Sequence, residues 1–432
     1  MSRFRISGTA FLVLALCAAT AISSPAQTLT TLASFNGTDG KAPSGTLIQA
    51  TDGNFYGTTQ TGGASGLGSV FKITPDGTVT TLYSFCALTN CVDGSGPTAG
   101  LVQASDGNFY GTTYYGGSNC VFGNLSLSGC GTVFQITPSG QLTTIYNFCQ
   151  TGDGSTCYDG SEPYSSLIQG TDGNLYGTTV YGGDNANDIG SGSGGYGTIF
   201  KITLQGSLTT VFSFCNNLNS TGYCLDGAIA YGGVLQASDG NFYGTLYNGG
   251  TGLDNSGGVV YKLTSAGKFK VLHNFGSKRN WIDGAYPFDS LIQGTDRNLY
   301  GTTRNGGYGG TLGGGTVFKI TTSGTLTTLH RFREGEGEDP YSALVQGKDG
   351  YFYGTLSAAG PFSNTGISAG TAFRVTAQGT VKRLYSFCSQ TNCTDGYQPA
   401  AGLVQGTNGN LYGVTYSGGT DNDGTVFSIS LK

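Results

Sequence analysis

Seven aspartates return at comparable places along this 432-residue chain: Asp39, Asp93, Asp159, Asp226, Asp283, Asp339 and Asp395, all but Asp339 followed by glycine. Carboxylates repeated in this way have two uses. Gathered into a ring, they would suit a cation or a polyhydroxylated ligand. Kept apart, each forms an Asx-turn by accepting backbone N–H groups of its own loop. The turn is the simpler account, because an equal residue in every unit is what a scaffold requires, whereas binding sites are generally asymmetric. His273 and His330, the two histidines, have the chemistry of general bases. Both stand where other units carry Tyr83, Tyr146, Phe212 and Tyr385, which makes them aromatic substitutes in a packed strand. Trp281, the sole tryptophan, follows Ser277-Lys278-Arg279-Asn280, the run that replaces a cysteine pair found in other units. It suits either an aromatic platform for a sugar ring or protein partner, or a hydrophobic plug in place of the missing bridge. Tyr114, Tyr115, Tyr181, Tyr247 and Tyr416 fall just after a recurring strand and toward the same side. The candidate ligand-binding residues are therefore Trp281, Tyr115, Tyr181, Asp93, Asp159, Asp226, Asp283 and Asp395. No catalytic residue, metal-ligand set or cofactor is assigned.

Two glycine-rich stretches imitate a nucleotide fingerprint. Gly192-Ser193-Gly194-Gly195-Tyr196-Gly197 matches GxGxxG, but the fingerprint needs a following helix, and here the strand Thr198-Ile199-Phe200-Lys201-Ile202 follows. The run from Gly306 to Gly315 fails for the same reason.

The elements that must position these residues form a sevenfold repeat. A segment of the form LIQ-x-x-DGN-F/L-YGTT places tyrosines at Tyr56, Tyr110, Tyr176, Tyr243, Tyr300, Tyr353 and Tyr412, spaced 54, 66, 67, 57, 53 and 59 residues apart. Such units are full supersecondary motifs, each too small to bury a core alone. In the first unit, four short runs have strand character: Leu47-Ile48-Gln49 (strand A), Asn54 to Thr59 (B), Ser69 to Thr74 (C) and Thr78 to Phe85 (D). Valine, isoleucine, threonine and aromatics dominate them. Tight turns, Asp52-Gly53-Asn54 between A and B and Pro75-Asp76-Gly77 between C and D, make each unit an antiparallel meander. The B–C and D–A connections lie at the other end, vary in length, and carry the cysteine pairs. Variable loops on a rigid scaffold are where binding is usually placed.

The fold predicted is all-β: a seven-bladed β-propeller of four-stranded antiparallel blades. After residue 26 the chain begins with a D-type strand, Thr28 to Phe35, and it ends with a C-type strand, Gly424 to Ser430. The first can complete the last sheet and close the ring, leaving no open edge.

Composition sets the compartment. Arg3 and Arg5, the apolar run Ala10 to Ala19, and Ser24-Pro25-Ala26 before Gln27 read as a secretory signal peptide over residues 1–26. Residues 27–432 are then one propeller domain. Leu16, before Cys17, is bulky where a lipoprotein signal wants a small residue. Ten further cysteines form five local pairs: Cys86 with Cys91, Cys120 with Cys130, Cys149 with Cys157, Cys215 with Cys224, and Cys388 with Cys393. In an oxidising compartment these are loop staples; without a CxxC or a neighbouring histidine, zinc is not expected. Without Arg3 and Arg5, 18 basic residues face 25 acidic ones, which argues against nucleic acid as a partner. No second apolar run suggests a membrane span, and a monomer is expected.

GTVFKIT at Gly315 to Thr321, with the LTTL-x-x-F strand and the DGN-LYGTT segment, resembles the GloVer (also called HAF) extracellular tandem repeat of bacterial secreted proteins. The similarity covers all seven units. DGN-LYG also resembles a segment of two-component-regulator and virginiamycin-lyase-like propellers, over a handful of residues. The GloVer resemblance implies a secreted repeat protein whose biochemical role is not established. The leading expectation is an extracellular binding or interaction module with a glycan or protein ligand on the long-loop face. Its rivals are a propeller lyase or glycan hydrolase with carboxylates at the axial mouth, and a structural extracellular component.

Overall fold

The computed structural model describes residues 27–119, 130–152, 157–184, 195–252, 256–308, 313–333, 335–361 and 369–431. Residues 1–26, read as the signal peptide, lie outside these, as do Cys120 and residues 192–194 of the GxGxxG stretch.

Each repeat folds into one antiparallel meander. In the third, strand A (Ile168–Gln169), B (Leu175–Thr178), C (Thr198–Ile202) and D (Leu208–Ser213) pair in that order. Seven such sheets occur among the described residues. The first gains a fifth strand, Lys41–Pro43, paired with an extended B strand. Elsewhere the same contact is a single bridge, such as Ser95 to Tyr115 or Ser161 to Tyr181.

Burial explains the strand compositions. B and C strands such as Phe109–Thr113 and Thr132–Ile136 are buried nearly throughout, because neighbouring blades cover both faces of each sheet. The D strands are only partly covered. Aromatic side chains fill the space between blades: Tyr56 lies 4.1 Å from Phe109, and Tyr300 4.0 Å from Phe352. The resulting core is a set of clusters between adjacent blades, one of which joins Phe55, Phe71 and Phe35 to Tyr412 and Val426.

The ring closes with the N-terminal strand. Leu29–Ser34 pairs antiparallel with Thr425–Ile429, Leu29 opposite Ile429 and Ser34 opposite Thr425, so it is strand D of the seventh blade. Polar staples repeat at every blade junction. The strand-A glutamine accepts from a backbone N–H of the preceding blade's A–B turn, as Gln103 does from Thr51 at 3.0 Å and Gln346 from Thr295 at 2.9 Å. Gln49 accepts from Thr407 at 2.8 Å, the same bond across the closure.

The A–B turn is locked by its own residues. Asp52 accepts from the Asn54 N–H at 3.0 Å and from the Tyr56 hydroxyl at 2.8 Å. Gly53 has φ of 82° and a Cβ there would touch nothing, so glycine is used for its backbone freedom alone. One feature of strand D departs from an ideal meander: each carries a bulge, at Leu82 between the Val70–Tyr83 and Phe71–Thr81 pairs in the first blade. Bulges bend and twist an edge strand.

Candidate ligand site at the axial mouth

The recurring aspartates stay apart, each inside its own D–A loop. Asp93 accepts from the Ala87 N–H at 2.9 Å and the Tyr83 hydroxyl at 2.8 Å. Asp159 does the same with Gln150 and Tyr146, and Asp395 with Ser389 and Tyr385. His273 replaces the tyrosine against Asp283, at 3.2 Å. Burial opposes ionisation of Asp283, but hydrogen bonds from His273 and Ser277 hold its carboxyl below the usual range. Asp226 accepts from the Asn216 and Asn217 N–H groups, Phe212 standing where other blades carry the tyrosine donor, and burial pushes its carboxyl up. Asp39 accepts from the Asn36 N–H at 3.0 Å. In the sixth loop the spacing misleads: Glu336 holds the recurring place, accepting from the Arg333 N–H at 2.9 Å and pairing with His330 at 3.1 Å. Asp339, three residues on, belongs to a different ring.

Trp281 is 6% exposed. It sits where Cys91 and Cys393 sit in other loops, after the same short turn. A Cβ on Gly276, the counterpart of Cys86, would lie 2.8 Å from the indole. The indole thus occupies the volume that the Cys86–Cys91 bridge occupies three loops earlier. Disulfides Cys86–Cys91, Cys149–Cys157, Cys215–Cys224 and Cys388–Cys393 form as expected from spacing. Cys130 is also disulfide-bonded, with its Sγ 3.7 Å from that of Cys157; Cys120 lies outside the described residues.

What converges on the axis is the stretch between each D–A loop and strand A. The residue just before the proline that leads into strand A (an alanine, Ala230, in the fourth blade) adopts a left-handed backbone in all seven blades: Ala42, Gly96, Glu162, Ile229, Tyr286, Asp339 and Gln398, with φ between 55° and 65°. Six of these carry side chains, at a cost of about 1 kcal/mol each or more. The residue following the next position, normally proline, lines the axial cavity: Ser44, Thr98, Tyr164, Tyr231, Phe288, Tyr341 and Ala400. Four consecutive blades therefore supply aromatic rings and the other three supply small side chains.

The rings form an arc. Tyr231 stacks on Phe288 at 4.7 Å, Phe288 meets Tyr341 edge-on at 4.8 Å, and Tyr164 meets Tyr231 at 5.2 Å. Tyr114 and Tyr247 extend it from the ends of two B strands. Opposite lie Gly45, Ala99, Gly100 and Ala401. The cavity holds about 350 Å³ and adjoins a second of about 380 Å³ toward the long loops, where Gln60, Ser357, Gln398 and Tyr416 add polar groups. Burial pushes the Tyr164 and Tyr231 hydroxyls up to about 12.

Charge at the mouth is sparse and uneven. Arg304 stacks on Tyr341 at 4.7 Å, and its Nε lies 3.6 Å from Asp339. That Nε is buried and has no hydrogen-bond acceptor among the described residues. Burial pushes the Asp339 carboxyl up against the pull of Arg304. Burial also raises Glu162, opposed by the hydrogen bond from the Tyr114 hydroxyl. Tyr115 and Tyr181 lie within electrostatic reach of Glu162 but line neither cavity. Among the described residues lining the axial cavity, Asp289 is the one carboxylate; its oxygens accept the Ser290 and Ala343 N–H groups, each at 2.6 Å. Sequence reasoning passed over Tyr164, Tyr231, Phe288, Tyr341, Asp289 and Arg304. The signal available was the variable triplet between the proline and the Leu/Val-x-Gln of strand A.

Comparisons agree with this architecture. A family model described as the Gloeobacter/Verrucomicrobia repeat matches residues 19–190 and 188–427. No curated protein matches the chain. Among solved structures, the extracellular domain of BT4673 from B. thetaiotaomicron, named as a hybrid two component system, superposes with a TM-score of 0.55 at 11% identity, covering 93% of this chain and 39% of that one. A second structure of that domain, named as a one component system, gives 0.54 at 11% identity, covering 94% and 40%. This chain thus spans about two fifths of the length of those proteins. At such identity the similarity is one of fold. No helix of the described residues is long and apolar enough to cross a membrane.

Proposed function

The chain belongs to the Gloeobacter/Verrucomicrobia repeat family, and from that premise we propose that it is a secreted binding module that takes a segment of an extracellular glycan into its axial mouth. The observation that carries this reading is the lopsided shaft. Tyr164, Tyr231, Phe288 and Tyr341 offer ring faces on one wall, while Gly45, Ala99 and Ala401 leave room on the other. A sugar ring presents apolar C–H faces to aromatic rings and hydroxyls to polar edges. Gln60, Gln398, Tyr416 and Asp339 supply such edges in the adjoining cavity. The unsatisfied Arg304 Nε–H is a donor that a ligand hydroxyl would pair, and buried donors are rarely left without a partner.

Export is part of the proposal. It rests on the signal-like residues 1–26 and on four local disulfides among the described residues, which persist in oxidising surroundings. A two-carboxylate hydrolase would place its acids across one bond. Here Glu162 is hydrogen-bonded to Tyr114, Asp289 to backbone N–H groups, and Asp339 is ion-paired with Arg304 at 3.6 Å. Binding needs no more than these groups offer.

The test is a screen of purified protein against a glycan array, followed by calorimetry on hits with wild type and Tyr231→Ala. The proposal expects at least one neutral oligosaccharide to bind and the variant to weaken it roughly tenfold or more. Absence of any glycan hit, or an unchanged affinity in the variant, would overturn it.

A further inference from the structure

The basic residues are not spread evenly around the ring. Residues 27–261 hold three Lys or Arg against fourteen Asp or Glu, whereas residues 262–383 hold fourteen against eight. Blades built from the first stretch are acidic, and those built from the second are cationic, so the molecule is polarised across its ring.

Lys262, Lys268, Arg297 and Lys348 lie in or beside the tight turns, whereas four other cations of the second stretch, Lys278, Arg279, Arg331 and Arg333, meet on the long-loop face. A cavity of about 270 Å³ there is lined by Tyr308, His330, Arg331, Arg333 and Glu336. Arg333 stacks on Tyr308 at 4.5 Å and donates to its hydroxyl at 2.8 Å. Arg331 reaches the neighbouring loop, donating from Nε to the Ile282 carbonyl at 2.7 Å. That loop also carries Lys278 and Arg279, both exposed. Tyr308 and Ile282, 47% and 39% exposed, stand among them. Among the described residues, the one carboxylate lining the cavity, Glu336, is already held by His330 and the Arg333 N–H. Two guanidiniums, one braced on an aromatic face and one by a carbonyl, form a rigid pair of forks, and forks of this kind recognise planar oxyanions.

We propose that this patch is a second binding site, for the carboxylate-bearing units of an acidic polysaccharide. The exposed Tyr308 and Ile282 would pack the sugar body while Arg331, Arg333 and Lys278 engage its charge. A nucleic acid is a polyanion as well, and a DNA probe separates the two. The site is separate from the axial shaft and does not rest on the reading given to it.

The experiment uses the full mature chain with polygalacturonate, its methyl ester, dextran sulfate and a single-stranded DNA oligonucleotide as probes, at low and moderate salt. Polygalacturonate is expected to bind and to be released by salt, and the methyl ester, identical but neutral, to bind at least about tenfold more weakly. Arg331→Ala with Arg333→Ala should reduce polygalacturonate binding about tenfold, and so should Lys278→Ala with Arg333→Ala, which leaves the Arg331–Ile282 bond intact. Tyr231→Ala should leave it unchanged. Equal binding of the methyl ester, indifference to both double variants, or tighter binding of dextran sulfate or DNA than of polygalacturonate would overturn the proposal.

Discussion

The two ends of the ring use repetition in opposite ways. At the tight-turn end the same contact recurs with the same side chains: Tyr56 to Asp52, Tyr110 to Asp106, Tyr176 to Asp172, Tyr243 to Asp239 and Tyr300 to Asp296, all between 2.7 and 2.9 Å. At the long-loop end only the backbone recurs. Seven left-handed residues stand at one ring position, yet their side chains run from none at Gly96 to Glu162, Tyr286 and Asp339. A shared backbone conformation there holds seven different groups at one height around the axis. The turn end spends its polar groups on itself. The loop end leaves Arg304 Nε without a hydrogen-bond acceptor among the described residues and three carboxyls raised by burial, at Glu162, Asp289 and Asp339, the kind of local cost that stable scaffolds carry at functional sites.

The contrast can be broken most severely at the closure. Deleting residues 28–35 removes strand D of the seventh blade and the buried Phe35, exposing a sheet edge. The cooperative thermal transition followed by circular dichroism should be lost or fall by tens of degrees; a transition unchanged in midpoint would mean that the ring does not depend on its closing strand. Next comes Trp281→Ala, which empties the place that a disulfide fills elsewhere and should cost about 3 kcal/mol in chemical denaturation. Removing the Cys86–Cys91 pair should cost less, about 2 kcal/mol, since a short loop gains little from closure. If the order is reversed, the indole is not the counterpart of the bridge.

Smaller effects sharpen the comparison. Tyr231→Ala should weaken glycan binding while shifting the melting temperature by no more than a few degrees, because the ring borders a cavity rather than the inter-blade core. An equivalent change at the turn end, Tyr243→Phe, should do the reverse. The smallest effect is a pH dependence. Burial opposes ionisation of Asp239, but hydrogen bonds from Tyr243, Asn241 and Lys262 win and hold its carboxyl at about 2, below the ordinary 3.8. A depressed carboxyl contributes stability that is present above pH 3.8 and lost as pH falls toward 2. The group is well exposed, so the contribution is under about 1 kcal/mol. Asp239→Asn should flatten the acid limb of stability between pH 4 and 2 by that amount, measured by denaturation at each pH.

The candidate site was less legible than the fold. Tyr115 and Tyr181 stand out in the sequence because they follow the strand-B motif directly, yet neither lines the axial cavity or the one adjoining it. The Tyr164-to-Tyr341 arc does not stand out, since each ring comes from a separate blade and each alone reads as an ordinary loop aromatic. Asp339 misled for the opposite reason: it lies near the recurring aspartate position in sequence, but Glu336 makes the bonds.

The chain's local chemistry by itself determined the seven units, the strand order, the tight-turn end and the half-blade at each terminus. Those follow from alternation, Asp-Gly-Asn turns and β-branched runs, which act within a few residues of one another. Tertiary structure decided what no single unit contains. The glutamine staple between Gln49 and Thr407 joins residues 358 apart. The bulge at Leu82, the sevenfold left-handed ring and the pairing of Arg331 with Ile282 likewise arise only when twisted sheets meet face to face. Six of the seven aspartates with which the chain announces itself, all but Asp339, are turn anchors, and the groups that face the axis are set by how the blades pack.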